Sequence, residues 1–345
     1  MTNSNTKLKV TSAPHIREEA TSNKMMIDTT IALLPATLVG IYIFGVRALV
    51  LVIACVAAAA LSECIMLKIR RKNITPTDIS SAAVTGLLLA MCLPSALPSY
   101  LAALGAVISI VIAKHAFGGL GYNIFNPALV GRAFLVASWP VLMTTWLAPA
   151  TFPAVDAITS ATPLAAFKSQ FLSDPALKVN VAGYPSLQFM LSDPEMLLKN
   201  MGMHIEAYWK LLVGFRGGCL GETCSLALIL GGLFLLKKGV DWRIPLSFIG
   251  TVALSSALLG FDPFFHVLAG GLFLGAFFMA TDPVTSPLSK QGRWIFGIGC
   301  GLITVAIRMW GGYPEGVCYS ILLMNAATPL IDRYIRPRIF GAHKR

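Results

Sequence analysis

Two acidic residues at the starts of apolar runs are the first candidates for chemistry in this sequence. Glu222 follows the glycine-rich segment FRGGCLG and precedes the run TCSLALIL, and Asp28 opens the run DTTIALL. A charge near the centre of a bilayer costs at least ~2.5–3.5 kcal/mol, so such an acid normally faces a cavity or a partner. We predict that Asp28 and Glu222 lie on an ion pathway. The alternative is that each acid only stabilises the positive end of its helix dipole.

A second candidate is the polar, glycine-rich segment GGLGYNIFNPALVGR, which begins at Gly118 and ends at Arg132. Asn123 and Asn126 supply amide donors and acceptors just before Pro127, a residue that commonly opens a helix. A flat heterocycle such as an isoalloxazine needs both kinds of polar group and apolar walls. Aromatic side chains that would supply such walls are Phe117, Tyr122 and Phe125. The alternative is a re-entrant turn in which asparagine only caps the helix.

The other acids, the histidines and the cysteines do not have the spacing of a catalytic or metal-binding site. Asp282 in ATDPVTS and Glu315 in GGYPEG stand in turn-like segments that favour helix capping, and Glu63 lies inside an apolar run. The five histidines are scattered, so we predict no metal site. The seven cysteines form no CxxC pair, which argues against a disulfide framework. An iron–sulfur cluster shared with a partner chain is the alternative to simple packing.

The elements that must position these residues are membrane helices. The chain is 56% hydrophobic and only 12% charged, whereas soluble domains carry roughly 25% charged residues. Its mean hydropathy is +0.72. The net charge of +11 does not indicate nucleic-acid binding, because the basic residues cluster between apolar runs. We predict an all-α polytopic protein with ten transmembrane helices at 25–46, 48–68, 80–98, 100–117, 127–148, 212–236, 243–260, 264–281, 294–311 and 314–332.

The distribution of Lys and Arg predicts the orientation of the chain. With a cytoplasmic N-terminus, twenty of these residues lie inside and seven outside, as the positive-inside rule requires. Both termini are then cytoplasmic, and the segment VDAITSATPLAAFKSQ lies on the exported side. From composition alone, that Ser/Thr-rich segment is a solvated loop.

A weak internal repeat predicts two halves of inverted topology. GLLLA (Gly86–Ala90) resembles GLFLG (Gly271–Gly275), and Asp28 and Glu222 occupy matching positions. The predicted organisation is a cytoplasmic tail (1–24), a first five-helix repeat (25–149), an exported loop (150–211), a second five-helix repeat (212–332) and a basic cytoplasmic tail (333–345).

Several long, ordered motifs resemble the D subunits of Rnf complexes, the ion-translocating ferredoxin:NAD oxidoreductases. They cover nearly the whole chain and include TSAPHIR, GGLGYNIFNPALVGRAFL, DAITSATPLAAFK, GCLGETCSLALILGG, WRIPLSF, GAFFMATDPVTSP, GGYPEGVCYSILLMNAATPLID and RPRIFG. The B subunits of sodium-translocating NADH:quinone reductases share many of these motifs. Those chains typically have an N-terminal extension longer than the 24 polar residues present here, which favours the Rnf family.

The resemblance implies two flavins and a fold. FMN would be attached through a phosphoester to Thr162, which follows Asp156, Thr159, Ser160 and Ala161; the common pattern has Gly where Ser160 stands. Because a threonine hydroxyl is a poor unaided nucleophile, a flavin transferase is implied, and the small residues around Thr162 should give it access. A non-covalent flavin, riboflavin, is expected near Asn123 and Asn126. The implied fold is the inverted repeat of urea transporters.

The function implied by the resemblance is that of a membrane protein that passes electrons between ferredoxin and NAD within a larger complex, coupled to Na⁺ or H⁺ translocation. The expected partners are the A, B, C, E and G subunits of the Rnf complex and the lipid bilayer of a bacterial inner membrane. The chain alone has no complete active site, because it lacks a cluster motif and a dinucleotide-binding fingerprint. The alternatives are the related quinone-reductase chain and a channel or transporter for a small solute.

Overall fold

The computed structural model describes residues 21–149, 161–173, 201–214 and 216–335. This part of the chain is helical, with a single isolated β-bridge. Three of its helices are long and apolar enough to cross a membrane: Ser22–Phe44, Val46–Ile69 and Lys290–Trp310. Shorter apolar helices are Ser99–His115, Pro127–Ser138, Ser225–Lys237 and Arg243–Leu258. The expectations for both tails and for Asp156, Thr159 and Ser160 concern positions outside the described residues.

The first half of the chain forms five principal helices. They are α1 (Ser22–Phe44), α2 (Val46–Ile69), α3 (Pro76–Met91), α4 (Ser99–Ile108, continued by a π-helix at Ser109–His115) and α5 (Pro127–Ser138). The start of α3 is fixed by a capping box, in which Thr75 and Asp78 exchange main-chain to side-chain hydrogen bonds of 3.0 and 3.4 Å. Gly45 joins α1 to α2 with a φ of 70°, which a glycine adopts without strain.

The fifth predicted span is shorter than expected. The helix α5 ends at Ser138, ten residues before the predicted limit of 148. Pro140 cannot donate a main-chain hydrogen bond and clashes with a continuing helix. It instead opens the single turn α6 (Pro140–Met143).

The predicted span at 212–236 is wrong as a single helix. The helices present are α7 (Pro163–Ser173), α8 (Met201–Val213) and α9 (Ser225–Lys237), with a 3₁₀ turn at Leu220–Glu222 before α9. Gly214, which has a φ of +104°, ends α8. A Cβ atom at this position would lie 2.3 Å from the main-chain oxygen of Thr223. The glycine-rich segment therefore turns the chain inward, where the hydropathy pattern alone predicted a continuous helix.

The second half, like the first, contains both short and long helices. It contains α10 (Arg243–Leu258), α11 (Pro263–Leu268), α12 (Leu272–Leu274, continued by a π-helix at Gly275–Met279), α13 (Lys290–Trp310) and α14 (Val317–Tyr334). The predicted span at 264–281 is therefore interrupted. Gly270, with a φ of +75°, stands at the interruption, where a side chain would be strained.

The two halves meet along matched helices and broken segments. The helix α1 packs against α9, and α5 packs against α14. Within the halves, α2 packs on α4 and α10 packs on α13. The turn after α3 reaches the turn before α9, where the Leu220 N–H donates to the Leu93 oxygen at 3.2 Å. Interrupted helices thus place main-chain groups and glycines at the interface between the halves.

Candidate functional site

Thr162 caps the N-terminus of the short helix α7. Its hydroxyl accepts a hydrogen bond of 3.1 Å from the Ala165 N–H, as is typical of an N-cap threonine. The preceding Ala161 is exposed, but Thr162 itself is only 2% exposed. The expectation that small neighbours leave this hydroxyl accessible is therefore wrong for this conformation. A helix N-terminus nevertheless favours a bound phosphate, because its dipole and free N–H groups attract negative charge.

One face of α7 docks the helix onto the second half of the protein. Phe167 packs edge-to-face on Phe261 and on His266, with ring centroids 5.4 and 4.9 Å apart. Lys168, on the same face, donates to the main-chain oxygens of Ile307 (3.3 Å), Gly311 and Tyr313 (2.9 Å). The segment that carries Thr162 is therefore packed against the end of α13, rather than solvated as composition alone suggested.

Asn123 and Asn126 line a cavity to which both halves contribute. The space between its walls is about 790 Å³ and includes a part open to solvent. Its lining residues are Met25, Met26, Thr29, Ser81, Val84, Thr85, Leu88, Lys114, Leu120, Asn123, Asn126, Pro127, Leu235, Val240, Phe278, Thr281, Asp282, Pro283 and Val284. Mixed polar and apolar walls of this kind are typical of small-molecule sites.

The side-chain amides of the two asparagines also have structural partners. Asn126 Oδ1 accepts from the N–H groups of Ala128 and Leu129 at 3.1 and 3.4 Å, so that Asn126 caps α5. The Asn126 Nδ2 group donates to Met279 O at 3.2 Å. Asn123 Nδ2 donates to Phe125 O at 3.2 Å. Capping, the alternative interpretation of the sequence, is thus present, and both residues face the cavity as well.

The predicted aromatic walls are not those of the cavity. Phe117 and Tyr122 are exposed, Phe125 is half-buried, and none of the three belongs to the lining. Phe278, from the second half, is the aromatic side chain among the lining residues. The sequence places the three aromatics beside the asparagines, but the glycine turns at 118, 119 and 121 direct the chain so that they point elsewhere.

Glu222 lies in a buried charged cluster with a second carboxylate. One carboxylate oxygen each of Glu222 and Glu315 and the Sγ atom of Cys219 all lie within 4.8 Å of one another. Arg132 pairs with Glu315 and also approaches Cys219 Sγ at 3.9 Å, so two of the three groups already face a guanidinium. Arg216 donates to the main-chain oxygen of Glu222 at 2.5 Å. The sequence pattern missed this convergence because its members come from separate segments.

Each carboxylate in this cluster retains an oxygen without a donor. Among the described residues, Glu222 Oε1 and Glu315 Oε1 are buried and have no hydrogen-bond partner. A carboxylate is acceptor-only when ionised and gains a donor when protonated. A proton shared by Glu222 and Glu315 would therefore satisfy both groups.

Asp28 does not join Glu222 in space. It lies in the second turn of α1 and faces Lys238, whose Nζ is 3.6 Å from Asp28 Oδ1. The turn that carries Glu222 approaches α1 at Gly40, where a Cβ atom would be 3.2 Å from Leu220 O. Twelve helical residues separate Asp28 from Gly40, which is roughly 18 Å along the axis. The two acids are therefore separate sites.

A second buried charged cluster lies beside the cavity. Glu63 pairs with Lys114 at 2.9 Å and with His115 Nε2 at 3.1 Å. Lys114 also donates to Ser81 Oγ at 2.8 Å, and its side chain is 3% exposed. The sequence analysis noted Glu63 inside an apolar run but did not pair it with Lys114, which lies inside the span predicted at 100–117. The signal available was its position directly after the apolar run of α4, without the turn residues that usually precede a loop.

Asp282 behaves as a turn acid, as its sequence context predicted. Its two carboxylate oxygens accept from Val284 N–H at 3.3 Å and from Thr285 Oγ1 at 3.2 Å. All seven cysteines are free thiols. Six of them are buried. Five of these belong to the hydrophobic core, where cysteine behaves as a small apolar residue, and Cys219 belongs to the charged cluster of Glu222 and Glu315.

Comparison with known proteins identifies the family of the chain. The sequence matches the profile of the NQR2, RnfD, RnfE family over residues 9–341. It is 46% identical over 343 residues to the D subunit of the proton-translocating ferredoxin:NAD(+) oxidoreductase complex of Clostridium ljungdahlii, covering 97% of this chain and 96% of that protein. It is also 46% identical over 340 residues to the D subunit of the Na(+)-translocating ferredoxin:NAD(+) oxidoreductase complex of Acetobacterium woodii, covering 98% and 96%. The D subunit of the ion-translocating oxidoreductase complex of Stutzerimonas stutzeri is 39% identical over 337 residues, 94% of this chain and 93% of that protein. The chain therefore belongs to the NQR2, RnfD, RnfE family, and over nearly its whole length it is similar to the D subunits of Rnf complexes.

Proposed function

We propose that the protein is the D subunit of an ion-translocating ferredoxin:NAD oxidoreductase and carries covalent FMN on Thr162. The observation that carries the assignment is the 46% identity, over nearly the full length of both chains, to two D subunits of such complexes. Electrons leave reduced ferredoxin and reach NAD⁺ at sites on partner chains, and this chain provides an intermediate carrier. Its partners are the A, B, C, E and G subunits of the Rnf complex, and a flavin transferase attaches the cofactor.

The chemistry around Thr162 supports a phosphoester at this position. When bound, FMN supplies one- and two-electron transfer. The Thr162 oxygen already accepts the Ala165 N–H, and the positive end of the α7 dipole favours an attached phosphate. Because the side chain is buried, the transferase must act before α7 docks, or α7 must detach during modification.

The cavity at the interface of the halves supports a non-covalent flavin, proposed to be riboflavin. Asn123, Thr85 and Thr29 offer polar groups, and Leu88 and Phe278 offer apolar surface. Lys114 places a buried ammonium group at the same wall. A ligand bound there would touch both halves and would be held by directional hydrogen bonds as well as by apolar burial.

Contacts between loops support ten spans in two inverted five-helix repeats of the urea-transporter type, with both termini cytoplasmic. Arg293 pairs with Asp241, which joins two segments predicted to be cytoplasmic. Asp28, near the predicted cytoplasmic end of α1, pairs with Lys238 in one of these segments. Lys168 joins two segments predicted to be exported. A membrane location in the bacterial inner membrane, with the Thr162 loop on the exported side, agrees with this arrangement and with the positive-inside rule.

Buried basic residues do not reverse this orientation. Five residues in the tally of twenty basic residues inside against seven outside have partners within the protein. On the cytoplasmic side of the tally these are Lys114 and Arg132, and on the exported side they are Lys168, Arg216 and Arg308. Three of the five come from the smaller, exported group, so the excess of cytoplasmic charge is preserved.

Two alternative functions make different predictions. A solute channel gains nothing from a flavin attached to Thr162, so covalent flavin separates the proposed function from that alternative. A chain of the quinone reductase would share the flavin but would assemble with quinone-reducing partners. Purification of the chain in its native complex, followed by identification of the partners, distinguishes these two cases.

The direct experiment is flavin fluorescence of the denatured chain, combined with intact mass and peptide mapping. The wild-type chain, made in cells with an active flavin transferase, should be fluorescent and heavier than 36.9 kDa by one FMN less water. Thr162→Ala should be dark at the unmodified mass. Thr151→Ala, in the same predicted loop but outside the motif around Thr162, serves as the matched control and should stay fluorescent. An unmodified wild-type chain, or a fluorescent Thr162→Ala chain, would overturn the proposed site.

A further inference from the structure

The helix α7 presents one buried face, and Lys168 is its only charged member among the described residues. Leu164, Phe167 and Lys168 follow the spacing i, i+3, i+4, which places them on one side of a helix. All three are buried, whereas Ser169, next in the chain, is exposed. Leu164 lies against Gly270, where a Cβ atom would be 2.6 Å from Leu164 Cδ1. The helix is therefore held by this face.

The contacts of Lys168 differ in kind from those of its apolar neighbours. Its ammonium group meets the main-chain oxygens of Ile307, Gly311 and Tyr313 at the C-terminus of α13. These oxygens lie at and just beyond the negative end of the helix dipole, and the Ile307 oxygen also accepts the Gly311 N–H at 2.9 Å. The structure records no carboxylate paired with Lys168 among the described residues. Its charge is therefore stabilised by these three oxygens.

We propose that Lys168 is a positioning residue for the flavin on Thr162, because it fixes how α7 is rotated and seated on the end of α13. Apolar contacts such as that of Phe167 are non-directional and tolerate sliding or rotation. Three hydrogen bonds from one ammonium group fix a single position. Thr162 lies six residues from Lys168, roughly 9 Å along the helix axis, so a group attached there moves with any rotation of α7. The inference rests on the proposed attachment of FMN to Thr162.

Lys168 also ties α7 to the loop that bears Glu315. Gly311 and Tyr313 precede Glu315 in the turn between α13 and α14, and Glu315 pairs with Arg132. A shift of α7 would therefore change its contacts with the turn that carries Glu315, a member of the buried carboxylate cluster. The turn that Lys168 contacts is thus connected to that cluster directly through the main chain.

The test compares Lys168→Met with Lys168→Arg in the full-length flavinylated chain, embedded in lipid nanodiscs. Methionine keeps the bulk of the side chain without donors, and arginine keeps the charge and the donors. Lys210→Met is the matched control, because Lys210 pairs only with the exposed Glu206 in the described structure. Flavin content per chain is measured first, by fluorescence after denaturation. Time-resolved anisotropy of the covalent flavin is then measured in the folded chain.

The expected result is unchanged flavin content in all variants, with a lower residual anisotropy in Lys168→Met only. Lys168→Arg and Lys210→Met should stay close to the wild type. In the assembled complex, Lys168→Met should lower kcat for ferredoxin-driven NAD reduction by on the order of tenfold or more, because a displaced redox group loses its geometry. The KM values for ferredoxin and NAD should not change, since both bind elsewhere.

Equal anisotropy and equal kcat in Lys168→Met and the wild type would overturn the inference while leaving the flavin site intact. A wild-type chain without covalent flavin on Thr162 would remove the proposed site and the inference together, so the two failures are distinguishable. If the methionine variant does not accumulate, Lys168→Gln replaces it. That variant keeps one amide donor group for the three oxygens and should give an intermediate anisotropy.

Discussion

The side-chain amide of Asn126 donates to the main-chain oxygen of Met279 at 3.2 Å, joining positions 153 residues apart. The same side chain caps α5 through Ala128 and Leu129. Asn126 therefore fastens a turn of the first half to the π-helical segment of the second half. Because it lines the cavity as well, its structural role must be separated from any contact with a flavin.

Asn126→Leu is expected to lower both the stability of the protein and its flavin retention. Loss of an N-cap costs about 0.5–2 kcal/mol. Loss of the hydrogen bond to Met279 O adds about 0.5–1.5 kcal/mol, since that oxygen keeps the Asp282 N–H at 3.4 Å. A lost hydrogen bond to a bound flavin would lower retention roughly 5- to 150-fold. The measurements are thermal unfolding in detergent and the amount of flavin released by denaturing extraction.

Thr85→Val is the control that separates an effect on flavin binding in the cavity from an effect on the capping of α5. Thr85 lines the cavity, and its hydroxyl donates within its own helix, to Ser81 O at 2.9 Å. Valine keeps the shape, so unfolding should be unchanged while flavin retention falls. Equal release of non-covalent flavin from wild type, Asn126→Leu and Thr85→Val would contradict a flavin site in this cavity.

Glu63 and Lys114 are expected to behave as a buried ion pair. Removing one partner of such a pair typically costs about 3–5 kcal/mol, because the other charge remains buried. Glu63→Gln and Lys114→Met should each lower the unfolding temperature clearly. The double variant should recover part of the loss, since neither charge is then unpaired.

The matched control is the exposed pair of Glu206 and Lys210, four residues apart on α8. Exposed ion pairs contribute little, so Glu206→Gln and Lys210→Met should leave the unfolding temperature unchanged. Additive effects of the Glu63 and Lys114 substitutions would show that the two side chains do not interact.

Much of the helical framework was predictable from the sequence, whereas the buried clusters were not. The spans predicted at 25–46 and 48–68 match α1 and α2 to within three residues at each end, although the break falls at Gly45 rather than at position 47. The break between α8 and α9 was missed, because apolar residues on both sides of FRGGCLGE extended the predicted span across it. Gly214, just before this segment, ends α8 with a positive φ. The meeting of Glu222 with Glu315 and Arg132 depends on how the halves dock, for which no local pattern exists. In contrast, the capping of α5 by Asn126 is predictable, because this residue stands directly before Pro127.

Reporter fusions test the orientation of the chain. A fusion at Gly183 should be active on the exported side, and a fusion at Lys344 should be active in the cytoplasm. The prediction rests on twenty basic residues inside against seven outside, as the positive-inside rule requires. If both fusions were active on the same side of the membrane, the predicted topology would be wrong. Either the number of spans or the exported placement of the loop at 150–211 would then have to change.

Glu222→Gln is expected to uncouple ion movement from electron transfer while leaving the fold intact. The Glu222 carboxylate is buried beside Glu315, and one of its oxygens has no donor in the described part of the chain. A cation entering this low-dielectric region needs fixed negative charge to replace its hydration. An electron on a proposed flavin of this chain would add negative charge and favour uptake of the cation on the same step. Glutamine keeps the size and can donate to Glu315, so folding and flavin content should be retained.

The measurement is ion uptake per NAD reduced by the complex in liposomes. Coupling between two bound species is typically worth 1–3 kcal/mol, or about 5- to 150-fold, so the ion dependence of electron transfer should weaken by a factor in this range. Asp28→Asn is the matched carboxylate-to-amide control, because Asp28 faces the half-exposed Lys238 and lies far from Glu222. Glu315→Gln is less informative, since it also removes the partner of Arg132. Wild-type stoichiometry in Glu222→Gln would mean that this acid supports the turn before α9 and that the ion crosses elsewhere. A loss in Asp28→Asn alone would move the pathway to α1 and α9.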